Sequence, residues 1–108
     1  KDELRLRLSP EYSRAIMDTA RRQFGDGVTV WLFGSRVVDA RRGGDIDLLV
    51  DVPHPIENKP REAARFAAAL QSQLGDQKID VVIDDHRNPL SIHEVARQEG
   101  LELKCRVT

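Results

Sequence analysis

The sequence predicts an α/β domain in which a sheet of at least three strands carries its helices on one face. Two observations predict it. Helix-period and strand-period stretches alternate along the chain, the pattern of α/β layering. Two of the strands also have one apolar face and one acidic face, so helices can seal only one side of the sheet. The 108 residues fit a single domain spanning 1–108, with its core at about 10–100.

The elements follow in order. Leu4, Leu6 and Leu8 alternate with Arg5 and Arg7, as in a short edge strand or a lead-in segment. Ser9-Pro10 reads as an N-cap and first helical residue. Tyr12, Ile16, Ala20 and Phe24 recur at helical spacing until Gly25-Asp26-Gly27 stops the helix. Val28 to Phe33 is a continuous apolar run of strand length, expected to be buried on both faces, with Trp31 and Phe33 in the core. Gly34-Ser35 ends it. A short helix or turn is expected over Arg36 to Ala40, broken by Gly43-Gly44. Asp45 to Val52 reads as the second strand, with Ile46, Leu48, Val50 and Val52 on one face and Asp45, Asp47, Leu49 and Asp51 on the other. Pro53, Pro55 and Pro60 place a loop before a helix over Glu62 to Leu74, whose apolar stripe is Ala63, Phe66, Ala67, Leu70 and Leu74. In the third strand, Ile79 to Ile83, the set Ile79, Val81 and Ile83 opposes Asp80, Val82 and Asp84. Ser91-Ile92-His93-Glu94 is a capping box that opens a last helix, closed by Gly100. Leu101 to Thr108 reads as a tail or an edge strand.

Composition narrows the function classes. Seventeen Lys and Arg stand against eighteen Asp and Glu, a net charge of −1, so neither general nucleic-acid binding nor membrane attraction is expected. The single Cys105 excludes an internal disulfide framework and a thiolate-rich zinc site. No run approaches the ~20 apolar residues that span a bilayer, and no signal-peptide pattern is present. A cytoplasmic location is therefore expected. Lys1-Asp2-Glu3-Leu4 spells an endoplasmic-reticulum retention signal, which acts only at a C-terminus.

The chemistry is concentrated between residues 34 and 50. A hydrophobic run ends in Gly34-Ser35-Arg36, a basic insert follows, and after Gly43-Gly44 comes Asp45-Ile46-Asp47 at the mouth of an apolar strand. Glycine lets a phosphate approach the backbone, and a helix starting after Ser35 would aim free N–H groups at it. The Ser35 hydroxyl adds a donor, and Arg36 offers a planar fork for phosphate oxygens. Asp45 and Asp47 point the same way from one strand. With Asp80, on the carboxylate face of the next strand, they make an oxygen donor set suited to Mg²⁺ and to a two-metal site. A calcium loop fits poorly, because apolar Leu48-Leu49-Val50 follows where such loops continue with Asp or Asn and Gly. The remaining polar residues receive plainer readings. His54, His86 and His93 lack ligand-like spacing and read as exposed or capping side chains. Asp51 reads as a strand-end polar residue, Asp84 and Asp85 as the start of a loop, and Glu94, Arg97 and Glu99 as a solvated helix face.

Gly34-Ser35-Arg36 through Asp45-Ile46-Asp47-Leu48, with Lys78-Ile79-Asp80-Val81-Val82 downstream, resembles the nucleotidyltransferase superfamily typified by DNA polymerase beta, and most of all its minimal nucleotidyltransferases. The resemblance covers about residues 10–100. It implies a polymerase-beta-like core: a mixed sheet of three or more strands with helices packed on one face. It also implies phosphate contacts from Gly34 and Ser35, with Arg36 assisting, and metal ligation by Asp45, Asp47 and Asp80. The implied reaction is Mg²⁺-dependent transfer of a nucleoside monophosphate, AMP, from an NTP such as ATP to an acceptor hydroxyl. Some members are antitoxins that adenylylate a tyrosine on a HEPN-type RNase toxin. Those members carry ten residues between Gly-Ser and D-x-D; this chain carries nine, Arg36 to Gly44. No acceptor-binding domain follows the core, so the acceptor is expected to be held by a partner chain, by a homodimer mate, or not at all. Two alternatives stand beside active transfer: an antitoxin-like binding subunit, and a family member that binds nucleotide without transfer.

Overall fold

A computed structural model describes residues 10–33, 46–75, 78–87 and 91–103. The lead-in segment, the Arg36–Ala40 turn and the tail beyond Leu103 lie outside them. The described chain folds in the order α1 (Pro10–Phe24), β1 (Thr29–Phe33), β2 (Ile46–Asp51), α2 (Lys59–Leu74), β3 (Ile79–Asp84), α3 (Ser91–Glu99) and β4 (Leu101–Leu103). The sheet has the order β3-β2-β1-β4. β1 pairs antiparallel with β2 and β4, while β2 and β3 pair in parallel, so the sheet is mixed.

α1 and α2 cover one face. Ile16, Met17, Ala20 and Phe24 of α1 meet Phe66 and Leu70 of α2 over Val30, Leu32, Ile46, Leu48, Val50, Ile79 and Ile83 of the sheet. The Phe24 and Phe66 rings pack edge to face at 5.7 Å, a geometry favoured by the ring quadrupoles. Polar side chains pin the two helices at their margins. Gln73 Nε2 donates to the buried Thr19 hydroxyl at 2.8 Å, and Gln23 Nε2 donates to the backbone and side-chain oxygens of Glu62 at 3.0 Å.

Two local features differ from expectation. α2 starts at Lys59 rather than Glu62, because Asn58 caps it and accepts from Arg61 N at 3.2 Å. Pro60 therefore sits in the first turn, where its missing N–H leaves nothing unsatisfied. β1 is not sealed on both faces: Val30 and Leu32 are buried, whereas Thr29, Trp31 and Phe33 are only half-buried. Its antiparallel neighbours demand no second helical layer along its whole length. Of the two readings for the segment after Gly100, the edge strand holds: Leu101–Leu103 form β4 beside β1.

The expectation of helices on one face alone is corrected: Arg97 of α3 reaches Asp51 and Asp84, so the acidic side of the sheet carries α3. Leu49 lies on that side by strand parity, yet it is fully buried, as is Ala96 of α3. Neither belongs to the core cluster beneath α1 and α2.

Candidate active site

β2 and β3 share a register that sets Asp47 opposite Asp80, Leu49 opposite Val82 and Asp51 opposite Asp84. Period two puts all six side chains on the face turned away from α1 and α2. Neighbouring strands lie ~4.8 Å apart, so the sheet carries two acidic pairs, one at each end of the β2–β3 ladder. Like charges directly opposite one another destabilise a sheet unless a cation compensates them.

At the Asp51–Asp84 end the protein supplies the cation itself. Arg97 of α3 donates through one nitrogen, Nη2, to Asp51 Oδ2 at 2.7 Å and to Asp84 Oδ2 at 2.5 Å. His86 Nε2 donates to Asp51 Oδ1 at 2.6 Å, and the His86 backbone N–H donates to Asp84 Oδ1 at 2.9 Å. His93 Nδ1, buried under α3, lies 3.5 Å from Asp84 Oδ1. Burial pushes the Asp84 carboxyl up, but the Arg97 hydrogen bond, the His86 N–H and the two imidazoles outweigh it and hold the group below its ordinary value. The hydrogen bond to Asp51, followed by the charges of Asp51 and Asp84, raises His86 above the usual imidazole range. For Arg97, burial disfavours the charge, and the bonds to Asp84 and Asp51 more than restore it.

The readings of Arg97 as a solvated face, of His93 as exposed or capping, and of Asp84 as a loop start are therefore corrected. Asp84 is the last residue of β3 and is buried. Asp51, Asp84 and His86 also bring three ligand-type atoms within 4.8 Å of one another. Arg97 already occupies that cluster, so a fixed guanidinium stands where a metal ion would. Asp85, next in the chain, is buried too. It accepts from Ile56 N at 2.9 Å, Arg87 N at 3.3 Å and Lys59 Nζ at 3.3 Å, tying the loop after β2 to the end of β3.

Asp80 is exposed and Asp47 half-buried, at the start of two parallel strands whose ladder is extended by Ile46 N donating to Lys78 O at 2.8 Å. Phe33, the last residue of β1 before Gly34, is the register partner of Asp47. Of the residues singled out from the sequence, Asp47 and Asp80 are thus brought together on adjoining strands. Gly34, Ser35, Arg36 and Asp45 lie outside the described residues. Two carboxylates one strand spacing apart form an all-oxygen donor set. That is the set Mg²⁺ accepts when waters and substrate phosphates complete its shell, so the residues present fit such an ion.

Comparison with known proteins bears on the family and the fold. A family model for the nucleotidyltransferase domain matches residues 14–104. No curated protein matches the sequence significantly. Among solved structures, the chain is similar to one from the tri-AMPylated Shewanella oneidensis HEPN toxin in complex with MNT antitoxin, with a TM-score of 0.64 and 21% identity over 91% of this chain and 74% of the other. It is likewise similar to a protein from Shewanella oneidensis, with a TM-score of 0.59, 16% identity, and 91% and 74% coverage. A third likeness is to the toxin-antitoxin MntA-HepT, with a TM-score of 0.58, 19% identity, and 89% and 73% coverage.

Proposed function

The chain belongs to the nucleotidyltransferase domain family, and we propose that it transfers AMP from ATP, with Mg²⁺, to a hydroxyl on a HEPN-type partner protein. The observation that carries this reading is the placement of Asp47 directly across from Asp80, on parallel strands, at the end of the acid face where β1 runs out toward Gly34-Ser35. Asp47 and Asp80, with Asp45, hold the metal; Gly34 and Ser35 hold the triphosphate through backbone and hydroxyl donors, and Arg36 assists. Asp80, the exposed member of the pair, also accepts the proton of the attacking hydroxyl. Mg²⁺, when bound, supplies charge neutralisation at the transferring phosphorus and at the leaving pyrophosphate. The acceptor oxygen forms the new bond to the α-phosphorus, the bond to the β-phosphate bridging oxygen breaks, and pyrophosphate leaves.

The choice of partner and of AMP is supported by the likeness to a complex described as a tri-AMPylated HEPN toxin with its MNT antitoxin. The same likeness favours a second reading, in which the chain acts mainly as a binding subunit. Co-expression with a HEPN-type partner separates the two. Intact-mass measurement of that partner should show adenylyl increments with the wild-type chain and none with Asp47→Asn or Asp80→Asn. A stable complex without any increment would favour the binding subunit, and increments that persist in both variants would overturn the assignment of the acidic pair.

A further inference from the structure

We infer that Arg97 is a positioning residue for the Asp47–Asp80 pair, acting through the seating of α3; this rests on the reading of that pair as the metal-holding site. On the acid face β2 and β3 present Asp47, Asp51, Asp80 and Asp84 with Leu49 and Val82 between them, and β1, paired through Trp31–Leu49 and Phe33–Asp47, adds the half-buried Trp31 and Phe33. α3 lies along β1 with Ala96 buried and Ile92 and Val95 exposed. Over β2 and β3 its fastening is ionic: Arg97 bridges Asp51 and Asp84, and His93 lies against Asp84.

The helix then reaches the other end of the site. Gly100, at its C-terminal end, lies so close to β1 that a Cβ there would stand 2.7 Å from Leu32 O and 3.2 Å from Phe33 Cβ. Phe33 is the register partner of Asp47 and the residue before Gly34. One short rigid element thus connects the carboxylates that Arg97 bridges to the strand end beside the candidate metal pair. Losing Arg97 leaves Asp51 and Asp84 opposed without their guanidinium and unseats α3, so the contact against Phe33 loosens and the Asp47–Asp80 spacing is no longer held from outside.

The bridge runs through a single nitrogen, so a lysine ammonium can replace it chemically, whereas methionine keeps the bulk and removes the charge. Mn²⁺, titrated alone and read by its electron paramagnetic resonance signal, is the probe, with folding checked by circular dichroism at the same temperature. Wild type should bind Mn²⁺, and Asp47→Asn should abolish that binding. Arg97→Met, while folded, should weaken it about tenfold, the lower end for residues outside the ligand set. Arg97→Lys should restore most of the loss. Folded Arg97→Met that binds Mn²⁺ like wild type overturns the inference. If Arg97→Met does not fold, Asp51→Asn, which removes one arm of the bridge, decides: weakened binding supports the inference and unchanged binding overturns it. Absence of Mn²⁺ binding in the wild type itself would sink the metal reading separately. Amide hydrogen exchange across residues 46–48 and 79–81 then tests the positioning alone, with faster exchange in Arg97→Met supporting it and unchanged exchange overturning it.

Discussion

Asp84 accepts from Arg97 and from the His86 backbone N–H and lies against His93, and its chemistry makes definite demands on pH and mutation. Arg97→Met leaves two registered carboxylates without the guanidinium that bridges them and should destabilise the fold by about 2 kcal/mol, measured by urea unfolding. That is below the ~3–5 kcal/mol of a broken, fully buried pair, because 29% of the Arg97 side chain stays exposed and solvent screens the loss. The titration of the cluster runs in two directions. His86 is raised above 6.5 by its bond to Asp51, so the folded state binds that proton more tightly than the unfolded chain. Its stabilisation is fully present below the unfolded value and is lost as pH rises through the raised one. The melting-temperature gap between wild type and His86→Gln should accordingly be wide near pH 6 and close toward pH 9, and a gap that widens over that range would contradict the assignment. Asp84 and Asp85 behave oppositely. The Ile56 N–H is the chief cause that holds Asp85 down at about 2, ahead of Arg87 N–H and Lys59. Their contribution is present above the ordinary value near 3.8 and disappears as the pH falls through the lowered ones, so Asp85→Asn should flatten the acid limb of the stability curve.

At the scale of elements, the strands and the long helices were readable because their periodicity is local. The acidic and apolar faces of β2 and β3 followed from parity alone, and the Phe66 and Leu70 stripe from helical spacing. Phe66→Ala should cost about 3–5 kcal/mol in chemical denaturation, since the ring is fully buried against Phe24. What local pattern could not supply was the side of the sheet on which a helix lies. α3 has a mixed face, and its arginine reads as solvated until the register of β2 against β3 shows two carboxylates waiting beneath it. Parity had already put Asp51 and Asp84 on that side, but their pairing depends on a parallel register between segments separated by α2. The early start of α2 was missed because Pro60 looks like loop punctuation, although a proline within the first helical turn costs no hydrogen bond. Gly100 marks the tightest junction. Gly100→Ala would drive a methyl to 2.3 Å from Ala96 O and 2.7 Å from Leu32 O, both backbone atoms that cannot swing aside. It should lower stability by about 1–3 kcal/mol in urea unfolding and detach α3 before the core under α1 and α2 opens, which hydrogen exchange would register as early loss of protection in 91–103.

For the whole molecule, one sheet serves two purposes on its two faces. The face under α1 and α2 supplies the hydrophobic core. The opposite face carries two registered acid pairs, one bridged by Arg97 and one at the end where β1 leads into Gly34-Ser35. The sequence made Asp47 and Asp80 legible as candidates because alternation put each on an acidic strand face; their direct opposition needed the parallel pairing. Gly34, Ser35, Arg36 and Asp45 stand on the sequence pattern alone. The proposed reaction at this acidic end moves a nucleotidyl group rather than a phosphoryl group. Paired reactions with ATP labelled at the α- or the γ-phosphate, given a HEPN-type acceptor protein and Mg²⁺, test it most directly. The account predicts that α-label alone reaches the protein, γ-label leaves as pyrophosphate, and Asp47→Asn and Asp80→Asn each cut labelling at least about a hundredfold. Label arriving from the γ-phosphate, or α-label transferred equally by both variants, would contradict it.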